Sequence, residues 1–157
     1  LGQIIDNSIN NGYTIGWGSD ISEKGFSWKN GVAIVPDREK VELAGLEQAK
    51  WDKSISKSDD FLYTFKNPIA EKKITQELRQ EAFDNYQTQD DHGMQICGIA
   101  KDQTGAKFYY VKNSWGFGSN GYDGYFYASE SYVLYKTSLI IVNKKAVPKN
   151  IADKLKL

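Results

Sequence analysis

Residues 90–116 read DDHGMQICGIAKDQTGAKFYYVKNSWG. Two β-prone runs, Met94–Lys101 and Lys107–Asn113, flank Asp102-Gln-Thr-Gly105, which has the polar and glycine chemistry of a hairpin loop. A histidine opens this hairpin and an asparagine closes it. With the loop centred between Gln103 and Thr104, facing residues carry numbers that sum to about 207. His92 then faces Trp115 and Asn113 faces Met94. His92 and Asn113 become diagonal neighbours on one face. An Asn carbonyl so placed can hold one imidazole nitrogen and leave the other free to work on a thiol. A lone His satisfied at a sheet end has the same spacing.

The chain has one cysteine, Cys97. It follows His92 by five residues on one strand, so the two lie about 16 Å apart and on opposite faces. A thiol activated by an imidazole must touch it. Cys97 is therefore expected to be a buried structural residue and not a nucleophile. Serine fares no better. There is no G-x-S-x-G elbow, and Ser114 falls on the wrong side of the pleat. Gly116-Phe-Gly118-Ser-Asn-Gly121 matches G-x-G-x-x-G, but YDGYFYA follows it. That is a strand pattern, with no helix terminus to hold a pyrophosphate.

The rest of the chain reads as one α+β domain, with helices early and an antiparallel sheet late. Leu1–Asn10 fits the end of an amphipathic helix stopped by Asn11-Gly12. Tyr13–Gly18 reads as a strand, Ser19–Gly31 as a loop, and Val32–Val35 as a strand ended by Pro36. Arg38–Trp51 has some helical character, and Asp52–Asp60 is a polar loop. Thr75 caps a helix whose apolar face carries Leu78, Ala82, Phe83 and Tyr86. Tyr122–Ala128 and Thr137–Val142 are further strands. Pro148–Leu157 begins as a helix.

Composition closes off several functions. With 157 residues there is room for one core. Twenty basic and 20 acidic residues leave no basic footprint for nucleic acid or an acidic membrane. The longest apolar runs, such as Leu139–Val142, are too short to span a bilayer. One Cys and one His support neither a disulfide framework nor a zinc site, and no cofactor is implied. The chain opens at Leu1 with no charged-then-apolar leader, which reads as a fragment or a processed product. Seven of the ten tyrosines lie between Tyr109 and Tyr135, the composition of an aromatic-rich antiparallel sheet or of a stacking surface. Asp90 and Asp91 flank His92, either to raise its pKa or as a solvated turn.

His92-Gly93-Met94 followed by Lys112-Asn-Ser-Trp-Gly116 resembles the carboxy-terminal part of a papain-like cysteine peptidase. DNSINNGYTIGWGSDISEKGF (6–26), ITQELRQEAFDNYQTQDDHGMQI (74–96) and VPKNIADKLKL (147–157) are similar to the bleomycin hydrolase and aminopeptidase C branch. The resemblance runs from Leu1 to Leu157. It implies a papain-like fold, of which this chain is the antiparallel, barrel-like His/Asn half with flanking helices. His92 would be the general base paired with a catalytic thiolate, and Asn113 would orient its imidazole. Trp115 would shield the Asn–His hydrogen bond from water. A carboxy-terminal tail in the cleft, here ending at Leu157, would offer its carboxylate to a substrate's amino group. The implied partners are a peptide substrate, the amino-terminal Cys-bearing half of the same enzyme, and five further copies in a homo-hexamer. A single cysteine, expected to be buried, fits a reducing, cytoplasmic location.

One departure is large. Papain-like enzymes carry the His about 130–150 residues after the nucleophilic Cys. His92 has only 91 residues before it. The nucleophile is therefore expected outside this chain, which is expected to be inactive alone. The competing readings are a catalytically dead relative used for binding or scaffolding, and an unrelated aromatic-rich binding domain.

Overall fold

The structure, a computed structural model, describes residues 1–22, 25–37 and 68–157. The helix expected over Arg38–Trp51 and the loop over Asp52–Asp60 lie outside these residues. Helix α1 (Gly2–Asn10) leads into β1 (Ile15–Ser19), the short pair β2 (Phe26–Ser27) and β3 (Val32–Ala33), and helix α2 (Gln76–Asp84). Then come β4 (His92–Lys101), β5 (Lys107–Lys112), β6 (Tyr125–Ser129), helix α3 (Glu130–Lys136) and β7 (Thr137–Ile141). A 3₁₀ turn at Lys144–Ala146 and helix α4 (Lys149–Leu155) end the chain. The strands form one sheet in the order β2-β3-β6-β5-β4-β1-β7. Every pairing in it is antiparallel except β3 with β6.

Alternation along the strands divides the apolar residues between two faces. On one face Ile15, Trp17, Ile96, Tyr109, Val111 and Phe126 are buried under Ile5 of α1 and Tyr132 and Val133 of α3. Each such side chain contributes roughly 1.5–3 kcal/mol of burial. On the other face Val32, Ile34 and Phe108 gather a smaller cluster with Ile69 and Tyr127. The tyrosine-rich stretch is split the same way. Tyr109 and Tyr132 are in the core, while Tyr110 and Tyr125 stack on each other across the strands at 4.7 Å.

Several expectations change. β2 arises inside the stretch read as a loop, because Phe26 needs the cross-strand partner Ala33. Helix α3 was not expected. Ser129 starts it by accepting the Tyr132 amide at 3.0 Å, and its short length hides any periodicity. Thr75 does cap α2, accepting Leu78 N–H at 3.2 Å. Its expected apolar face is mostly absent: only Ala82 is buried, and Phe83 and Tyr86 are exposed. Tyr86 lies past the helix end with a positive φ of 62°, which turns it off that face.

Candidate active site

The central hairpin places the site. Its pairs Gln95↔Lys112 and Ile96↔Val111 have the sum expected from sequence, but Gly98↔Tyr110 through Lys101↔Lys107 are one higher. The loop is centred half a residue further along than expected, and a β-bulge at Cys97 absorbs the difference. Ile96 and Gly98 oppose successive residues of β5, and Cys97 opposes none. Without that extra residue taken up, the loop actually used would send His92 and Asn113 to opposite faces.

With it, they meet. His92 Nε2 lies 2.7 Å from Asn113 Oδ1. That oxygen also accepts the Ser114 amide proton at 2.7 Å, so it is the carbonyl end of the side chain. The contact therefore requires the proton on Nε2. The other nitrogen, Nδ1, is left available and has no protein partner among the described residues. Asn113 is 5% exposed, and its Nδ2 is buried without a partner among the described residues.

Trp115 lies beside this pair. Its ring centre is 5.0 Å from that of His92. Trp28 and Phe26 hold it edge-on at 5.0 and 6.1 Å. Sequence reading missed both braces because they sit in the supposed loop. The alternation of Phe26 and Trp28 in GFSW (25–28) was the available signal.

The loop between β5 and β6 is ordered by Asn120. Its Oδ1 accepts the Tyr122 and Gly124 amides, and its Nδ2 donates to the Tyr125 carbonyl at 2.8 Å. Asn113 N–H in turn donates to Gly124 O at 3.0 Å, tying the loop to the site. The Gly-x-Gly-x-x-Gly match lies in this loop, and β6 follows it, not a helix.

An open groove of about 620 Å³ reaches His92 and Asn113. Its lining includes Gly16, Gly18 and Gly93, with Leu139 and Ile141 leaning over the first two. A Cβ at Gly93 would meet nothing within 4 Å, so that glycine opens the floor. Asp90 and Asp91 are tied into the structure: Asp90 accepts the Ser138 hydroxyl at 2.6 Å, and Asp91 the Ile21 amide at 3.0 Å.

The remaining candidates lie elsewhere. Cys97 is partly exposed and not in the core as expected, because the bulge turns it out of the ladder. Its thiol is pushed up by burial, against the weaker influence of Lys112, so it stays protonated near neutrality. Leu157 is 60% exposed just beyond α4, its amide bonded to Ala152 O, and it does not line the groove. Among the described residues no group of His, Cys, Asp or Glu could hold a metal, and no helix is long and apolar enough to cross a membrane.

Comparison with known proteins agrees with this geometry. Residues 45–157 match the Peptidase C1-like family. That is well over half of the chain, and the chain belongs to this family of papain-like cysteine peptidases. Among solved structures it is similar to PepW from Lactobacillus rhamnosis, at 19% identity and a TM-score of 0.59. The alignment covers 99% of this chain and 29% of that one, so the chain spans less than a third of PepW's length. The α+β, papain-like fold is shared. The Amb a 11 cysteine protease of ragweed pollen, in its proform, aligns at 20% identity over 83% of this chain and 27% of that one. Its TM-score of 0.38 carries no argument. No curated protein sequence matches.

Proposed function

We propose that this member of the Peptidase C1-like family is the His/Asn half of a cysteine-type aminopeptidase of the bleomycin hydrolase kind, with the nucleophile on polypeptide outside the chain. The observation that carries the reading is the 2.7 Å His92–Asn113 bond, which leaves Nδ1 free beside an open groove.

In the proposed reaction, an incoming thiolate pairs with the His92 imidazolium through Nδ1. The sulfur attacks the peptide carbonyl and forms a tetrahedral adduct. His92 gives its Nδ1 proton to the leaving amine, and the acyl-enzyme remains. Neutral His92 then takes a proton from water as the water oxygen attacks the acyl carbon; the thioester C–S bond breaks, releasing the acid and restoring the thiolate–imidazolium pair. Asn113 keeps the ring in one orientation through both steps. Trp115, braced by Trp28 and Phe26, covers that bond and strengthens it by excluding water.

The open space over Gly93 suits an extended peptide, whose backbone can approach closely there. Asp90 and Asp91 already line the groove, but in enzymes of the bleomycin hydrolase kind the group that receives the substrate's amine is the terminal carboxylate, here that of Leu157. For Leu157 to supply it, the tail must move from its present place into the groove of the assembled enzyme.

The test is the longer gene product. It should cleave amino-terminal residues from peptides, lose activity on thiol alkylation, and lose it in His92→Ala. The 157-residue chain should show no turnover. Turnover by this chain that needs His92 but survives Cys97→Ser would overturn the placement of the nucleophile. A longer product indifferent to alkylation would overturn the peptidase reading.

A further inference from the structure

Residues 85–91 join α2 to β4 and deliver His92, yet they lie outside any ladder. Their backbone polar groups must find other partners. A buried ion pair meets two of them. Lys136 has no solvent exposure. Its Nζ donates to Gln87 O at 2.6 Å and lies 3.6 Å from Asp20 Oδ2. Asp20, also buried, accepts the Gln89 amide on that same oxygen at 3.2 Å. Its Oδ1 takes the Ser22 amide at 2.9 Å and the Ser22 hydroxyl at 2.6 Å.

Two residues later the exchange is reversed, with Asp91 accepting the Ile21 amide at 3.0 Å. The two carboxylates thus clasp the end of β1 and the approach to β4 against each other, next to the pairing of Ser19 with His92. Lys136 anchors the clasp to the start of β7, where its carbonyl accepts the Asp20 amide at 3.1 Å.

Burying two charges often stabilises less than a well-packed apolar pair of the same volume. Stability is therefore a poor reason for this pair, and geometry a better one. Burial pushes the Asp20 carboxyl up. The two Ser22 bonds, the Gln89 amide and the Lys136 charge outweigh that and hold it below the ordinary carboxylate value.

We propose that Asp20 and Lys136 are positioning residues for His92, fixing the path of residues 85–91 so that the imidazole enters at the place where Asn113 can hold it. Neither touches the reacting atoms. The inference rests on His92 being the working base.

His92 is the only histidine, so one imidazole signal reports the site. In the 157-residue chain with ¹⁵N-labelled histidine, the bonded Nε2–H should give a slowly exchanging resonance from a single tautomer. Lys136→Met should abolish it, and the isosteric Asp20→Asn should weaken it. Lys107→Met removes a different bridge, to Asp6 and Glu130, and should cost stability while leaving the resonance in place. An unchanged His92 resonance in Lys136→Met or Asp20→Asn overturns the proposal whatever their Tm.

If both variants unfold, amide exchange in the unmutated chain decides. Gln89 and Ile21 amides as protected as those of β4 support the clasp, and free exchange overturns it. None of these readouts needs turnover. Their failure is therefore distinct from failure of the peptidase reading, which alkylation and His92→Ala report in the longer product.

Discussion

Deleting Cys97 from the middle of β4 should leave the His92–Asn113 bond intact. Ordinarily a one-residue deletion inside a central strand flips every side chain beyond it. Here Ile96 and Gly98 already face Val111 and Tyr110, which are neighbours on β5. Removing Cys97 joins two residues whose partners are already consecutive, and every cross-strand pair survives. What is lost is a partly exposed thiol and its weak 3.5 Å contact to the Gln95 carbonyl, together about 1 kcal/mol. For scale, truncating the fully buried neighbour in Ile96→Ala should cost about 2–5 kcal/mol. Urea denaturation should give a slightly lower midpoint for the deletion at unchanged slope. The His92 imidazole resonance should keep its single tautomer. A loss of about 3 kcal/mol or more, beyond what the missing contacts account for, would refute the reasoning. So would loss of that resonance in a folded variant. Either result would mean that the bend made by the bulge, and not the pairing it preserves, aims His92.

Other predictions address the site and its supports. Asn113→Ala removes the acceptor of both His92 Nε2–H and Ser114 N–H. In the longer product it should lower kcat about 10- to 150-fold, the equivalent of roughly 1.5–3 kcal/mol, with little change in KM, by steady-state kinetics. Glu71 accepts Val35 N–H at 2.7 Å and the Ser129 hydroxyl, yet burial, helped by the charge of Asp102, pushes its carboxyl up from 4.5 to about 7. A carboxyl raised in the fold favours folding most when protonated. Stability should therefore fall as pH rises from about 4.5 to about 7 and level off above, by at most about 3 kcal/mol. Glu71→Gln should flatten that window in denaturation curves taken across it. Gly124 has φ +85°, and an added Cβ would lie 2.8 Å from Gly116 O. Gly124→Ala should cost about 2 kcal/mol or more in thermal unfolding, by straining the loop that holds Asn113.

The hairpin was legible because its signals are local. Alternating apolar residues, a polar loop with Gly105 and the NSWG run all lie within residues 90–116. The expected register at the site matches the observed one by compensation, since a shifted loop centre and the bulge at Cys97 cancel. Nothing local announces that bulge. In a regular strand Cys97 would be buried; the bulge leaves it partly exposed. Helix α3 escaped notice because seven residues give too little periodicity, and its cap Ser129 follows directly on β6. Phe83 and Tyr86 looked like a core-facing stripe, but Tyr86 leaves the helix before that stripe is complete.

The sequence by itself determined what chemistry is available. It supplied one imidazole, one asparagine and one tryptophan at the ends of a hairpin, and a single thiol too far along the strand to reach the histidine. Those follow from residue identity, strand period and chain distance, which need no partners. Only the tertiary structure decided which imidazole nitrogen is free, because that depends on Asn113 Oδ1 being shared with the Ser114 amide. It alone brought Trp28 and Phe26 against Trp115, and set Lys136 against Asp20 across 116 positions of sequence. Such contacts are made by packing between elements remote in the chain. Their energy is present only once the sheet has closed, so no window of sequence contains it.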